Sequence, residues 1–176
     1  MRRWAIAICA LAWGALAAPA GAAADAGSAF YVAGVDDGAA GLPGDRPLYD
    51  LQGVRRWVAP SPFLTARSLA EARVRVNQPT GLLEVALRLT PQGARALRDY
   101  TGTHAGGRIA FVLDGVVLTA PVVVNRLSVD VIGNWDRTFD AATAERIAAR
   151  IRAVIADESG RTVAQAAIQP RGQELS

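Results

Sequence analysis

Residues 109–122 read Ile-Ala-Phe-Val-Leu-Asp-Gly-Val-Val-Leu-Thr-Ala-Pro-Val, and this run constrains the fold more than any other part of the chain. Two apolar stretches flank Asp114-Gly115, a dipeptide that tolerates positive φ at both positions of a two-residue turn. The run therefore predicts a β-hairpin at the centre of a small domain. Its role is architectural rather than chemical. Pro121 cannot donate to a ladder, so the second arm is an edge or ends close by.

The flanking segments extend the pattern. Residues 73–76 alternate and predict a strand with one wet face. In residues 82–89, Leu83, Val85, Leu87 and Leu89 alternate with Glu84, Ala86 and Arg88, the cleanest strand signal in the chain. Thr90-Pro91 opens a helix: threonine caps the free amides, and proline at the first helical position loses no hydrogen bond. That helix runs to about Tyr100, with Ala94, Leu97 and Tyr100 or Thr101 facing inward and Gly102 ending it. Residues 129–132 predict another strand. A last helix spans about 140–156, capped by Asp140, with Ala144, Ile147, Ala148, Ile151, Val154 and Ile155 forming one stripe. Residues 69–72 read as one helical turn, and 162–168 as a returning strand. The order β-β-α-β-β-β-α places two amphipathic helices on one face of an antiparallel sheet. The expected fold is α+β, a ferredoxin-like two-layer sandwich.

The N-terminus reads as a secretion signal. Arg2 and Arg3 precede an apolar stretch over residues 4–16, and Ala22-Ala23-Ala24 supplies a small-residue cleavage site. Pro19 and Gly21 break the stretch before it reaches spanning length. The only cysteine, Cys9, goes with the signal, so the mature chain is held by its core and not by disulfides. All 19 basic residues are arginine, and the net charge of +3 falls toward neutrality once Arg2 and Arg3 are removed. A near-neutral exported domain is a poor nucleic-acid binder. The expected organisation is a signal at 1–24, a loop-rich segment with weak strands at 25–62 (residues 30–33 and 54–58), an α+β domain at 63–169 and a flexible tail at 170–176. The expected location is periplasmic or secreted, in a bacterium, with no membrane span after signal cleavage.

Several runs together resemble one family. They are Leu64-Thr65-Ala66-Arg67-Ser68-Leu69-Ala70-Glu71-Ala72-Arg73-Val74, the strand 82–89, and the threonine-led helix with Gly93-Ala94. Val112-Leu113-Asp114-Gly115 with Thr119-Ala120-Pro121-Val122, and Ile132-Gly133-Asn134-Trp135, complete them. In order and spacing they are similar to the first periplasmic (head) domain of the SecD or SecDF protein-export subunit, over about ninety residues. The resemblance implies a head domain that contacts translocating polypeptide outside the membrane. The family's proton-coupled membrane part has no counterpart after the signal. The family's glycine-rich segment is shortened here to Asn125-Arg126-Leu127-Ser128.

No catalytic constellation is legible. His104 is the only histidine, lies in a helix-to-strand loop and has no nucleophile elbow nearby in sequence. Metal binding wants several histidine or cysteine ligands; Asp36, Asp37 and Asp45 lack the alternation of a calcium loop. Asp114, Asp130 and Asp136 offer carboxylates without a spacing that pairs them. Gly106-Gly107-Arg108 stands before a strand, the reverse of a phosphate loop. The arginines at 95 and 98, and at 146, 150 and 152, read as solvated helix faces. The expectation is a non-catalytic binding or accessory domain without cofactor or metal, whose partner is a polypeptide or an envelope protein. The alternatives are a small periplasmic hydrolase using His104 and a structural subunit of an envelope complex. The expected working surface is a strand edge plus a groove, with Pro121 and Arg126 guarding one edge. Trp57, Trp135, Arg126 and Asn134 are the candidate partner contacts.

Overall fold

The computed structural model describes residues 28–38, 40–78, 81–129, 131–133 and 139–168. Among them the chain forms, in order, β1 (Phe30–Asp36), β2 (Arg46–Asp50), β3 (Arg55–Val58), β4 (Leu64–Thr65), a 3-10 turn (Ala66–Ser68), β5 (Leu69–Val76), β6 (Leu83–Leu89), α1 (Pro91–Thr103), β7 (Arg108–Leu113), β8 (Val116–Thr119), β9 (Val131–Ile132) and α2 (Ala141–Ile168). The expected signal and the 170–176 tail lie outside the described residues, as do Asp130, Asn134, Trp135 and Asp136.

The central hairpin is present. Asp114 and Gly115 both adopt left-handed backbone, at φ 48° and 81°, which matches the right-handed twist of the flanking arms. Its surroundings correct the expected fold. β7 is buried at almost every position, which requires cover on both faces, whereas a two-layer sandwich covers a sheet on one face only. The cover comes from curling. β1 pairs antiparallel with β7 along six residues and with β3 at Val35↔Val58 and Asp36↔Trp57. β3 pairs with β2, β2 runs parallel to β8, and β8 returns to β7. The result is a closed, mixed five-stranded barrel, with β4 appended to β1. Its interior is small: Ala33, Val58, Ala110, Val112 and Val117, with Tyr31, Val35 and Leu48 toward the ends. Small side chains allow so few strands to close.

β5, β6 and β9 form a separate antiparallel sheet. Its apolar face, the outer face of the barrel and both helices enclose the main core. There Phe30, Val32, Phe111 and Leu113 meet Ala72, Val85, Leu87, Leu97, Ile147 and Ile151. α1 begins as the sequence indicates: Gly93 N–H donates to Thr90 Oγ1 at 3.1 Å. α2 is capped at Asp140, whose Oδ1 accepts from Thr143 N–H at 2.6 Å. Three local expectations fail. Gly102 does not end α1, which runs on to Thr103 with His104 as its C-cap. Residues 69–72 are strand and not a helical turn, because the 3-10 turn just before them already makes the bend and Ala72 packs into the core. Residues 162–168 continue α2 rather than returning as a strand. Gly160 costs a helix interior only about 1 kcal/mol, and local bonds carry the helix past it: Arg161 pairs with Asp157 at 2.7 Å, and Thr162 Oγ1 donates to Glu158 O at 3.0 Å.

Candidate functional site

β8 ends at Thr119, and the chain continues as a strap, residues 120–129, whose first part still runs antiparallel beside the start of β7, with Val122 opposite Arg108. Backbone bonds fix it on one side: Ile109 N–H donates to Pro121 O at 3.1 Å, Val123 N–H to Gly107 O and Gly106 N–H to Val123 O, both at 2.8 Å. A buried threonine fixes it on the other. Thr101, fully inaccessible in α1, donates to Leu97 O at 2.8 Å and accepts from Leu127 N–H at 2.9 Å.

The strap does not lie flat. Between it, α1, β7 and the end of β9 a cleft of about 270 Å³ remains, lined chiefly by Leu97, Ile109, Phe111, Pro121, Val124 and Leu127. Among the described residues, none that lines it is ionisable. Val123 is buried, but Val122 and Val124 are 44% and 76% exposed, which puts apolar surface at the mouth of an apolar cavity. Clefts of this kind bind apolar or amphipathic ligands by area rather than by chemistry.

Of the four expected contacts, two can be placed. Arg126 stands on the strap, exposed, with Nη2 3.7 Å from Asp99 Oδ1 of α1. Trp57 is on β3 of the barrel and does not line the cleft. Arg55 lies over its ring at 5.0 Å, and Gly41 sits so close that a Cβ there would meet the indole at 2.6 Å. The structure therefore does not join Trp57 and Arg126 into one site. Val122 and Val124 were missed in the sequence. The available signal was an apolar run continuing beyond the proline that ends the strand.

His104 caps α1. Its ring stacks on Tyr100 with centroids 4.0 Å apart, and Tyr100 stacks on Phe63 at 3.9 Å. His104 Nδ1 lies 2.9 Å from both Tyr100 O and Thr103 Oγ1. These contacts serve the helix end, where carbonyls lack amide partners, and among the described residues no carboxylate bonds to the ring to orient it as a catalytic base requires. Burial pushes the Tyr100 phenol above its ordinary range. Among the described residues, no three histidine, cysteine or acidic side chains come together to hold a metal. Asp114, considered above for its carboxylate, is engaged by both Nε and Nη2 of Arg150, each at 2.8 Å. Those hydrogen bonds hold its carboxyl below the usual carboxylate range, and the pair ties the barrel hairpin to α2.

A family model described as "SecDF, P1 head subdomain" matches residues 45–156. In sequence the chain is similar to protein translocase subunit SecDF of Thermus thermophilus, 45% identical over 62 residues, which is 35% of this chain and 8% of that protein. It is also similar to protein translocase subunit SecD of Rhodothermus marinus, 40% identical over 85 residues, 47% of this chain and 12% of that protein. The chain thus spans only a small part of these relatives. Two solved structures share its architecture. A membrane component SecDF that enhances protein export superposes with a TM-score of 0.55 at 25% identity, covering 70% of this chain and 61% of that one. SecDF in a super-membrane-facing form gives 0.56 at 27% identity, covering 72% and 19%.

Proposed function

Because the chain belongs to the SecDF P1 head subdomain family, we propose that it is an accessory domain of protein export that contacts unfolded polypeptide on the outer side of the inner membrane. The observation that carries this reading is the cleft under the strap. Among the described residues its lining is apolar and uncharged, and it is bordered by the exposed side chains of Val122 and Val124. An unfolded chain presents apolar side chains in varied order, and a site of this kind accepts them with little sequence demand. The reading is non-catalytic, takes no cofactor, and assigns His104 to capping. Its partner is a polypeptide in the cell envelope rather than a nucleic acid. No helix among the described residues is long and apolar enough to cross a membrane.

The test uses a fluorescently labelled, reduced and carboxymethylated α-lactalbumin as a permanently unfolded probe. Val124→Asp places a charge at the cleft mouth on a side chain that supports nothing in the core. It should weaken binding about tenfold or more, since a buried valine is worth roughly 1.5–3 kcal/mol, while the far-UV spectrum stays unchanged. Equal binding by the variant removes the cleft from the account. No binding by the parent protein favours the purely structural envelope role.

A further inference from the structure

Among the described residues, β5 is the one strand longer than two residues with an entire edge unpaired. The barrel closes on itself, β4 and β9 are two residues each, and β6 lies between β5 and β9. The direction of the β5 amides follows from two bonds. Asn77 N–H reaches Leu82 O at 2.8 Å, so the odd-numbered residues of this strand turn their backbone toward β6. The carbonyl of Ala72 accepts instead from Arg152 Nη1 of α2 at 3.1 Å, so the even-numbered residues turn outward. In an antiparallel ladder both polar groups of a residue face the same side. The amides and carbonyls of Val74 and Val76 therefore face away from the sheet, and Val76 is 47% exposed.

The side chains on the outer face carry a charge pattern. Arg88 is paired with Glu71 at 2.9 Å, and Arg75 with Glu84. Arg73, exposed between them and opposite Ala86, has no carboxylate within ion-pair distance among the described residues. A residue on an added strand would stand directly beside it, with Cβ atoms about 5 Å apart.

We propose that the outer edge of β5 receives an extended polypeptide as a fourth strand of the small sheet, with an acidic side chain of that polypeptide against Arg73. The inference rests on the polypeptide contact proposed above and specifies a second, backbone-directed mode of it. The occupant alternates, with apolar side chains on the Val74 face and at least one carboxylate on the Arg73 face. The amides of Val74 and Val76 supply main-chain bonds that ask nothing of sequence. Arg152 guards the edge, as charged side chains commonly do. It holds one acceptor, Ala72 O, and an incoming amide displaces it there.

The probe is a short synthetic peptide alternating valine and glutamate, with a valine–lysine peptide as its charge-reversed counterpart. Hydrogen exchange of the full protein is followed with each peptide and, separately, with the unfolded lactalbumin. The expected result is that the glutamate peptide slows exchange at the Val74 and Val76 amides by about tenfold or more. Arg73→Glu should transfer the preference to the lysine peptide, Arg152→Ala should tighten binding several-fold, and Val76→Pro should abolish it. Cleft protection by lactalbumin, without edge protection by either peptide and without effect of Val76→Pro, overturns the edge inference and leaves the cleft reading standing. Absence of both overturns the two together.

Discussion

Gly93→Ala and Gly102→Ala make the same chemical change in the same helix, and the structure gives them opposite consequences. An alanine in a helix interior is favoured over glycine by about 1 kcal/mol. At Gly93 the new Cβ would lie 2.3 Å from Ser68 O and 3.0 Å from Ser68 Cβ, about 1 Å inside an ordinary ~3.3 Å carbon–oxygen contact. The obstacle is backbone and cannot rotate away. Ser68 O also accepts from Thr90 N–H at 2.9 Å and from Thr90 Oγ1 at 3.3 Å, so moving it disturbs the start of α1. Overpacking costs about 1–3 kcal/mol and the weakened bond about 1. Less the helical gain, Gly93→Ala should destabilise by about 1–3 kcal/mol, a fall in melting temperature of roughly 3–10 °C for a domain of this size. At Gly102 the nearest atom is Arg126 Nε at 3.3 Å, the far end of an exposed side chain. That variant should be neutral or stabilised by up to about 1 kcal/mol. Urea denaturation of both variants gives the comparison. A Gly93→Ala midpoint equal to or above that of the parent protein refutes the close packing of α1 on the 3-10 turn.

Two further predictions concern the strap and the hairpin. Thr101→Val keeps the shape but strands the Leu127 N–H, which Thr101 Oγ1 now accepts. The cost should be about 1–3 kcal/mol, with faster hydrogen exchange at Leu127 and weaker lactalbumin binding; unchanged exchange refutes the strap's attachment to α1. For Asp114, the Arg150 hydrogen bonds lower the folded carboxyl below the ordinary 3.8. The pair's contribution is therefore complete above that value and is lost as pH falls through the lower folded one. Acid titration should show this loss in the parent protein and not in Asp114→Asn, which retains tolerance for the left-handed turn; identical acid profiles refute it.

How much of the fold was legible differs by segment. The hairpin, both helix starts and the order of elements after Arg73 depend on local rules: turn residues, caps and periodicity. The barrel depends on which strands become neighbours. β1 and β7 are far apart in sequence, and nothing local announces their pairing. The sequence does carry one clue. Ile109 to Leu113 is apolar at every position, the pattern of a strand covered on both faces, and a single two-layer sheet cannot provide that cover. The weak appearance of residues 30–58 has a related cause. Barrel staves facing a narrow interior need small residues, such as Ala33, and small residues carry little strand signal.

The cleft was harder to anticipate for a different reason. A catalytic site announces itself through rare residue types, and this cleft is built from the types that also make cores. Val123 is core, while Val122 and Val124 beside it are exposed; the sequence Val-Val-Val does not distinguish them. What separates them is pairing beyond the proline: Val122 bridges Arg108 antiparallel and Val123 N–H donates to Gly107 O, so successive side chains turn to opposite faces. The Arg73 edge follows the same logic. β5 was recognisable as a strand with a wet face over Arg73 to Val76, but edge status belongs to the assembled sheet. Once the barrel takes β7 and β8 for itself, the small sheet is β5-β6-β9, and among the described residues no strand pairs with the outer edge of β5. The expected working edge lay beside Pro121 and Arg126, as it would in a single continuous sheet containing the central hairpin; the barrel takes that hairpin, and among the described residues the uncovered flank is that of β5.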